Sequence, residues 1–219
     1  MLSERNCIKN RLPSADVLST QMIISCDAMD FGCNGGHLDD TMEFLSSQAL
    51  PAVMCDHKNF EYIGRPLETC PLFELEGDDP TPDCVSRPVK CITNSKTKMT
   101  TEGEMKIEIL KNGPITSKML VFSDLAIEYV GGIYHYDLGS ENETKNPLIG
   151  SHAVLITGWG ETRFEDSQVK YWTVKNSWGS DWGEDGYFKI RMGDCYLGQA
   201  GFEGAFACEP EQLPLLTII

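Results

Sequence analysis

The feature that most constrains the fold is a change in sequence pattern at Gly113-Pro114, in the middle of the chain. Before it, apolar residues recur at helical spacing, and after it short β-branched or aromatic segments are bounded by glycine. Helices are predicted over 16–26, 37–48 and 101–112, and strands over 114–122, 132–136, 152–159, 170–175 and 187–192. A helical half before a strand-rich half predicts an α+β fold of two lobes, over residues 1–96 and 97–219.

Cysteine content indicates the compartment. Nine cysteines in 219 residues are typical of an oxidising, lysosomal or secreted setting, and Asn142-Glu143-Thr144 is a glycosylation sequon. Met1-Leu2-Ser3-Glu4-Arg5 does not open a signal peptide. Zinc is the rival use of cysteine, but no paired Cys-x-x-Cys units occur, so we predict no metal and no cofactor.

Charge and hydropathy exclude two classes of partner. The formal charge of −15 repels phosphate backbones, so we do not expect nucleic-acid binding. No apolar run approaches the roughly 20 residues that a membrane-spanning helix needs, so we expect no membrane span.

The main candidate site is a histidine and an asparagine on neighbouring predicted strands. His152 follows Gly150-Ser151 near the start of one strand, and Asn176 ends another strand, 24 residues later. A hairpin-like return would bring the two side chains together, and the amide oxygen would then fix the tautomer and direction of the imidazole. The other ring nitrogen would exchange a proton with a thiol nucleophile. Trp178 would shield the hydrogen bond from water.

The surrounding motifs resemble the papain family of cysteine proteases. They are Ser-His-Ala-Val at 151–154, Gly-Trp-Gly at 158–160, Tyr-Trp-Thr-Val-Lys-Asn-Ser-Trp-Gly at 171–179, Asp-Trp-Gly-Glu-Asp-Gly-Tyr-Phe at 181–188 and Cys-Asn-Gly-Gly at 33–36. The resemblance implies a helical lobe and an antiparallel β-barrel lobe with a cleft between them. It also implies an extended peptide or protein substrate, held at Gly35 and Gly36 by backbone hydrogen bonds.

Within the family, residues 55–84 resemble the cathepsin B branch. Cys55-Asp56-His57, closed by Cys70, is similar to its occluding loop, and the resemblance implies the bridges Cys26–Cys84 and Cys55–Cys70. The alternative is that Cys55 corresponds to an earlier family cysteine instead, and Cys195–Cys208 is a further, weaker pairing. Lys58 stands where a second histidine is expected. Two interpretations of His57 therefore stay open, a ligand for the substrate's terminal carboxylate and a plain surface residue.

The family's nucleophile stretch, Cys-Gly-Ser-Cys-Trp, and the oxyanion glutamine before it do not occur in the sequence. By resemblance the chain starts inside the helix that carries the nucleophile, and the partners of Cys7 and Cys33 precede it. Cys7 is a candidate substitute, although neither glycine nor tryptophan flanks it. Three explanations stay open: a second chain completes the helix, local packing has adapted, or the start codon is misassigned.

Three functional hypotheses follow. The first is a cathepsin B-like cysteine peptidase with a Cys-His-Asn mechanism, inactive as printed because the nucleophile is missing. The second is a non-catalytic papain-like pseudoprotease that binds a partner, and the third is a structural subunit of a larger assembly. Glu203 is a candidate for the pocket that sets side-chain preference.

Overall fold

A computed structural model of the chain describes residues 1–46, 61–67, 70, 89–137, 145–164 and 167–212. The helices are α1 (Leu2–Asn10), α2 (Thr20–Cys26), α3 (Leu38–Ser46), α4 (Glu102–Asn112) and α5 (Ser123–Ile127). The strands are β1 (Val89–Cys91), β2 (Thr97–Met99), β3 (Ile115–Phe122), β4 (Ile133–Tyr134), β5 (Leu148–Phe164), β6 (Ser167–Lys175), β7 (Tyr187–Arg191), β8 (Ala205–Ala207) and β9 (Pro210–Gln212). The predicted α+β class is confirmed.

The chain divides into two compact units. The first holds residues up to Thr97 together with residues from Ala207 onward, and the second runs from Lys98 to Phe206. The C-terminal strand β9 pairs antiparallel with β1, so it belongs to the first unit. The sequence-based division placed the whole of 97–219 in one lobe, because a short C-terminal segment gives no signal of a distant strand partner.

In the first unit, α1 packs on the β1–β9 pair. Arg5, which is 1% exposed, donates from Nη1 to the carbonyl of Cys208 at 3.3 Å, and Lys9 donates to the carbonyl of Pro210 at 2.8 Å. Helix α2 starts at Thr20 rather than at Asp16, and Ser19 is its N-cap residue. The backbone N–H of Leu18 instead faces Ser3 Oγ at 3.4 Å, which fixes this stretch outside the helix.

The first unit also corrects the predicted disulfides. Cys26 is bonded to Cys70 and Cys91 to Cys208, so the pairings Cys26–Cys84, Cys55–Cys70 and Cys195–Cys208 are wrong. Cys55 and Cys84 lie outside the described residues. Segment 61–67 runs along α2, and this brings Cys70 to the end of the helix. Gln21 accepts from Ile63 N–H at 2.9 Å and donates to the carbonyl of Arg65 at 2.7 Å.

The second unit is built on a seven-stranded sheet in the order β2-β8-β3-β5-β6-β7-β4. Strands β3, β5, β6 and β7 are antiparallel neighbours, and β4 joins the edge parallel to β7. Over the described residues β2 and β4 are open edges, so the sheet is open where the resemblance implied a closed barrel. The sheet's core includes Trp172, Phe188 and Ile190, each at most 1% exposed.

Helix α4 begins as its sequence predicts. The Thr101 side chain accepts from Glu104 N–H at 3.2 Å, and the Glu104 carboxylate accepts from Thr101 N–H at 3.1 Å, which is a capping box. The Glu104 carboxylate also accepts from Thr100 N–H at 2.9 Å, and this bond is the largest cause that holds the pKa of Glu104 below its usual value, followed by the contacts with Thr101. Gly113, with φ of +97°, ends the helix in a conformation that glycine adopts easily. Across the described residues, no helix is long and apolar enough to cross a bilayer.

Candidate active site around His152

The sheet register brings His152 and Asn176 together. Strands β5 and β6 pair Leu155 with Lys175, so Asn176, the residue after β6, lies diagonally opposite His152. Side chains two apart on a strand share a face, and diagonal neighbours on adjacent strands are within reach of each other. His152 Nε2 lies 2.9 Å from Asn176 Oδ1. The side chains of His152 and Asn176 are therefore in contact, as the sequence predicts.

The backbone determines which imidazole tautomer forms. Ser177 N–H, which can only donate, lies 2.8 Å from Asn176 Oδ1, so that atom is an acceptor and is the amide oxygen. His152 Nε2 must then donate its proton to the same oxygen. In the neutral ring Nδ1 is left as the basic nitrogen, and within the described part of the chain it has no hydrogen-bond partner. The arrangement prepares Nδ1 to accept a proton.

Aromatic rings connect this imidazole to the core of the second unit. Trp178 stacks on His152 with ring centroids 5.0 Å apart and planes 21° apart. Trp182 meets Trp178 edge to face at 4.9 Å, and Phe188 meets Trp182 in the same way at 5.7 Å. Phe188 is 1% exposed whereas Trp178 is 38% exposed, so the row runs from the core to the surface. Stacking of this kind restrains the imidazole plane.

The loop between Asn176 and Tyr187 is closed by backbone bonds. Asn176 N–H donates to the carbonyl of Gly186 at 2.9 Å, and Gly186 N–H donates to the carbonyl of Trp182 at 2.8 Å. Gly186 has φ of +85°, and a Cβ there would lie 3.1 Å from the carbonyl oxygen of Gly179. The glycine therefore allows the close return that holds Asn176 at the end of β6.

A second cluster of polar contacts lies at the far end of the same loop. Glu184 accepts from Gly132 N–H at 3.1 Å through Oε1 and pairs with Lys189 Nζ at 2.6 Å through Oε2. The ion pair with Lys189 is the largest cause that holds the pKa of Glu184 below its usual value, and the same pair raises the pKa of Lys189. The carboxylate therefore stays charged in mildly acidic solution.

Gly35 and Gly36, the predicted peptide-binding residues, lie in the first unit between α2 and α3. Both are exposed, and Gly35 has φ of +99°. Asp30 holds this turn, because its Oδ1 accepts from His37 N–H at 2.7 Å and its Oδ2 from Thr41 Oγ1 at 2.5 Å. A Cβ on Gly36 would overlap the Asp30 side chain, so a larger residue here would require Asp30 to shift from this position.

A buried carboxyl lies next to this turn. Asp27 is 5% exposed, and its Oδ1 accepts from Met29 N–H at 3.0 Å. Burial is the largest cause that raises the pKa of Asp27 to about 6, and the charge of Asp30 adds to it. Over the described residues Asp27 Oδ2 has no hydrogen-bond partner. The first unit therefore has a carboxyl that titrates in the pH range of acidic compartments.

The second unit has a single cysteine, Cys195, and it is poorly suited to be a nucleophile. Its thiol is buried, and burial raises its pKa to about 12, with smaller contributions from Asp194 and Asp124. A thiol in this environment stays protonated and inert. In the first unit Cys7 and Cys33 are also free thiols, and they donate to the carbonyls of Leu12 and Gly64 at 3.4 and 3.3 Å.

Three predicted positions remain: His57, the sequon and Glu203. His57 and the sequon lie outside the described residues. Glu203 pairs with Lys118 at 2.9 Å. Across the described ranges, no group of three His, Cys, Asp or Glu side chains has an arrangement that would hold a metal ion.

Sequence reasoning missed three contributors to the site: Ser177 N–H, Trp182 and Glu184. Trp182 and Glu184 lie in the family-like motif 181–188, which marks their positions but does not indicate their contacts. Those contacts depend on how the loop folds back, which no local pattern encodes.

Comparisons with known proteins agree with the motifs. The family model described as papain family cysteine protease matches residues 1–205. Cathepsin B-like protease 1 of Arabidopsis thaliana is 32% identical over 220 residues, covering 93% of this chain and 52% of that protein. The human protein named tubulointerstitial nephritis antigen-like is 32% identical over 217 residues, covering 87% and 44%. The chain thus spans about half the length of these relatives.

A solved structure shows the same fold. The procathepsin B S9 structure from Trypanosoma congolense has a TM-score of 0.66 at 24% identity, over 95% of this chain and 65% of that one. At this identity the likeness concerns the fold alone.

Proposed function

Because the chain belongs to the papain family of cysteine proteases, as its match over residues 1–205 shows, we propose that it derives from a cathepsin B-like peptidase and retains that enzyme's acid–base pair. The observation that carries the proposal is the 2.9 Å contact between His152 Nε2 and Asn176 Oδ1, which leaves Nδ1 as the basic nitrogen. A proton acceptor oriented by a second side chain is the arrangement that thiol catalysis requires.

The proposed chemistry runs through Nδ1. A thiol placed beside it transfers its proton to the ring, and the thiolate attacks the peptide carbonyl carbon. The imidazolium then donates that proton to the departing amine as the carbon–nitrogen bond breaks, which leaves a thioester. Nδ1 next takes a proton from water, whose oxygen attacks the thioester carbon. As the carbon–sulfur bond breaks, the imidazolium returns this proton to the departing sulfur, which releases the carboxylic acid and regenerates the thiol. Throughout, Asn176 accepts from Nε2–H and keeps the ring aimed.

We further propose that the 219 printed residues do not hydrolyse peptides by themselves. The second unit's only cysteine, Cys195, is buried with a raised pKa, and the printed sequence has no Cys-Gly-Ser-Cys-Trp stretch. The sequence that the transcript encodes upstream of Met1 decides whether the whole protein supplies this stretch.

A peptidase assay tests whether this chain hydrolyses peptides and, if it does, whether His152 takes part. The purified protein is incubated under reducing conditions with fluorogenic peptide amides, with and without an epoxide inhibitor of thiol proteases. We expect no inhibitor-sensitive hydrolysis, and the His152→Ala variant serves as the matched background. Inhibitor-sensitive hydrolysis that His152→Ala abolishes would refute inactivity, and Cys7→Ser and Cys33→Ser would then identify the nucleophile.

The alternative is a non-catalytic module that binds extended peptides at Gly35 and Gly36. The relative named tubulointerstitial nephritis antigen-like supports it, because a protein not named as a protease is as similar to this chain as the named proteases are. Binding of a labelled extended peptide, measured by fluorescence polarisation, with no cleavage on prolonged incubation would favour this function. A stable partner that co-purifies at fixed stoichiometry would instead favour a second chain that completes the site.

For the compartment we propose a lysosomal or secreted protein. The disulfides Cys26–Cys70 and Cys91–Cys208 support an oxidising environment, as do the cathepsin B-like relatives. Alkylation of the protein from its native source, followed by mass measurement, tests this proposal. Four alkylated cysteines at these positions would contradict it.

A further inference from the structure

We propose that Glu184 is a positioning residue for the site. By anchoring the loop that carries Trp178 and Trp182, it holds Trp178 against the His152 ring. The inference deepens the proposed function, because it concerns the same imidazole. Glu184 does not contact His152, so its effect has to pass through intermediate residues.

The first step is the attachment of the loop at Glu184. The two carboxylate oxygens bind separate elements, since Oε1 accepts from Gly132 N–H and Oε2 pairs with Lys189 on β7. Its backbone also exchanges hydrogen bonds with Tyr187, at 2.8 and 3.0 Å. Glu184 is therefore the point at which the end of the loop is fixed both to β7 and to the segment before β4.

The second step is a network of hydrogen bonds around Tyr129. The Tyr129 hydroxyl donates to the carbonyl of Gly132 at 2.7 Å and accepts from Lys189 N–H at 3.1 Å. Glu184 binds the N–H of the same glycine and the side chain of the same lysine. The hydrogen bonds thus form a closed set among four residues: Tyr129, Gly132, Glu184 and Lys189. Loss of the Glu184 carboxylate removes the acceptor for Gly132 N–H and leaves, within this set, only the bond from Tyr129 to the Gly132 carbonyl.

The third step is the row of rings. Tyr129 packs on Trp182 with centroids 5.5 Å apart, and Trp182 Nε1 donates to the carbonyl of Ala126 at 3.1 Å. Trp182 in turn supports Trp178 from the edge, and Trp178 stacks on His152. Trp178 is more than one-third exposed, and among the described residues its ring contacts are with His152 and Trp182. The orientation of Trp178 therefore depends on Trp182 and on the loop that Glu184 anchors.

Imidazole NMR on the free protein tests the inference, and the chain's four histidines make assignment tractable. In Glu184→Ala we expect smaller ring-current shifts of the His152 ring protons. If Glu184→Ala removes the free energy that a partly exposed ion pair usually contributes, the equilibrium constant for Trp178 stacking on His152 should decrease roughly two- to fivefold. Glu184→Gln keeps an acceptor for Gly132 N–H, so its His152 ring-current shifts should lie between those of Glu184→Ala and those of wild type.

The matched control is Glu102→Ala, which removes another glutamate paired with a lysine, Lys106, on α4. It should leave the His152 signals unchanged. Unchanged His152 shifts and tautomer in Glu184→Ala, with only a lower melting temperature, would overturn the inference, because a purely structural role predicts that result. If Glu184→Ala does not fold, unchanged His152 signals in both Glu184→Gln and Lys189→Met would overturn it instead. The readout needs no peptidase activity, so an inactive protein would bear on the proposed function and not on this inference.

Discussion

Replacing Asp27 with asparagine should remove a specific pH dependence of stability. The pKa of Asp27 is raised from 3.8 to about 6 in the folded chain, chiefly by burial, so the folded state binds this proton more tightly than the unfolded state. The contribution of Asp27 to stability is therefore fully present below about pH 3.8, falls as the pH rises, and is lost above about pH 6. At about 1.4 kcal/mol per pH unit, the loss across this window is about 3 kcal/mol.

Asparagine keeps the shape of the side chain and an oxygen that can accept from Met29 N–H, but it cannot ionise. Asp27→Asn should therefore be more stable than wild type at pH 7, by an amount approaching about 3 kcal/mol, and roughly equal to it at pH 4. Urea unfolding of both proteins at pH 4, 5, 6 and 7 measures the difference. Asp40→Asn on α3, which removes another carboxylate of the first unit, is the control.

A difference in unfolding free energy that stays constant from pH 4 to pH 7 would refute the reasoning, because it would show that Asp27 does not titrate in this window. A wild-type protein whose stability rises between pH 4 and 6, with the same rise in Asp27→Asn, would assign the pH dependence to other groups.

Three further predictions concern the site and its supports. Asn176→Ala removes the acceptor for His152 Nε2–H, so the preference for the Nε2–H tautomer should fall about two- to tenfold, as measured by imidazole NMR. An unchanged tautomer ratio would contradict the hydrogen bond from Nε2–H to Asn176. Gly36→Ala places a Cβ on the Asp30 carboxylate, so it should cost about 1–3 kcal/mol in urea unfolding, and a cost near zero would show that Asp30 moves freely. Thr101→Ala removes the side-chain cap of α4 and should cost about 1 kcal/mol, whereas Thr101→Ser should restore most of it.

The sequence predicted those parts of the fold that depend on local pattern. Helix α4 is bounded by Thr101 and Gly113 as expected, since a capping box and a C-terminal glycine are short-range signals. The pair His152 and Asn176 was also accessible, because strand alternation determines which side chains share a face.

The parts that depend on long-range contacts were not predicted. The bond from Cys26 to Cys70 follows from hydrogen bonds between Gln21 and segment 61–67, which lie more than 40 residues apart in sequence. The start of α2 shifted because Leu18 interacts with Ser3 on α1. In both cases a tertiary contact overrode the local preference that the sequence displays.

The return of the last strand to the first unit has a consequence for synthesis. Strand β1 is made early, yet its partner β9 and its disulfide partner Cys208 leave the ribosome only after the entire second unit has been translated. During that interval the edge of β1 and the thiol of Cys91 have no native partner, and unpaired edges favour association with other chains. In a released chain that ends at Phe206, the second unit should accordingly resist protease, whereas β1 should be cleaved.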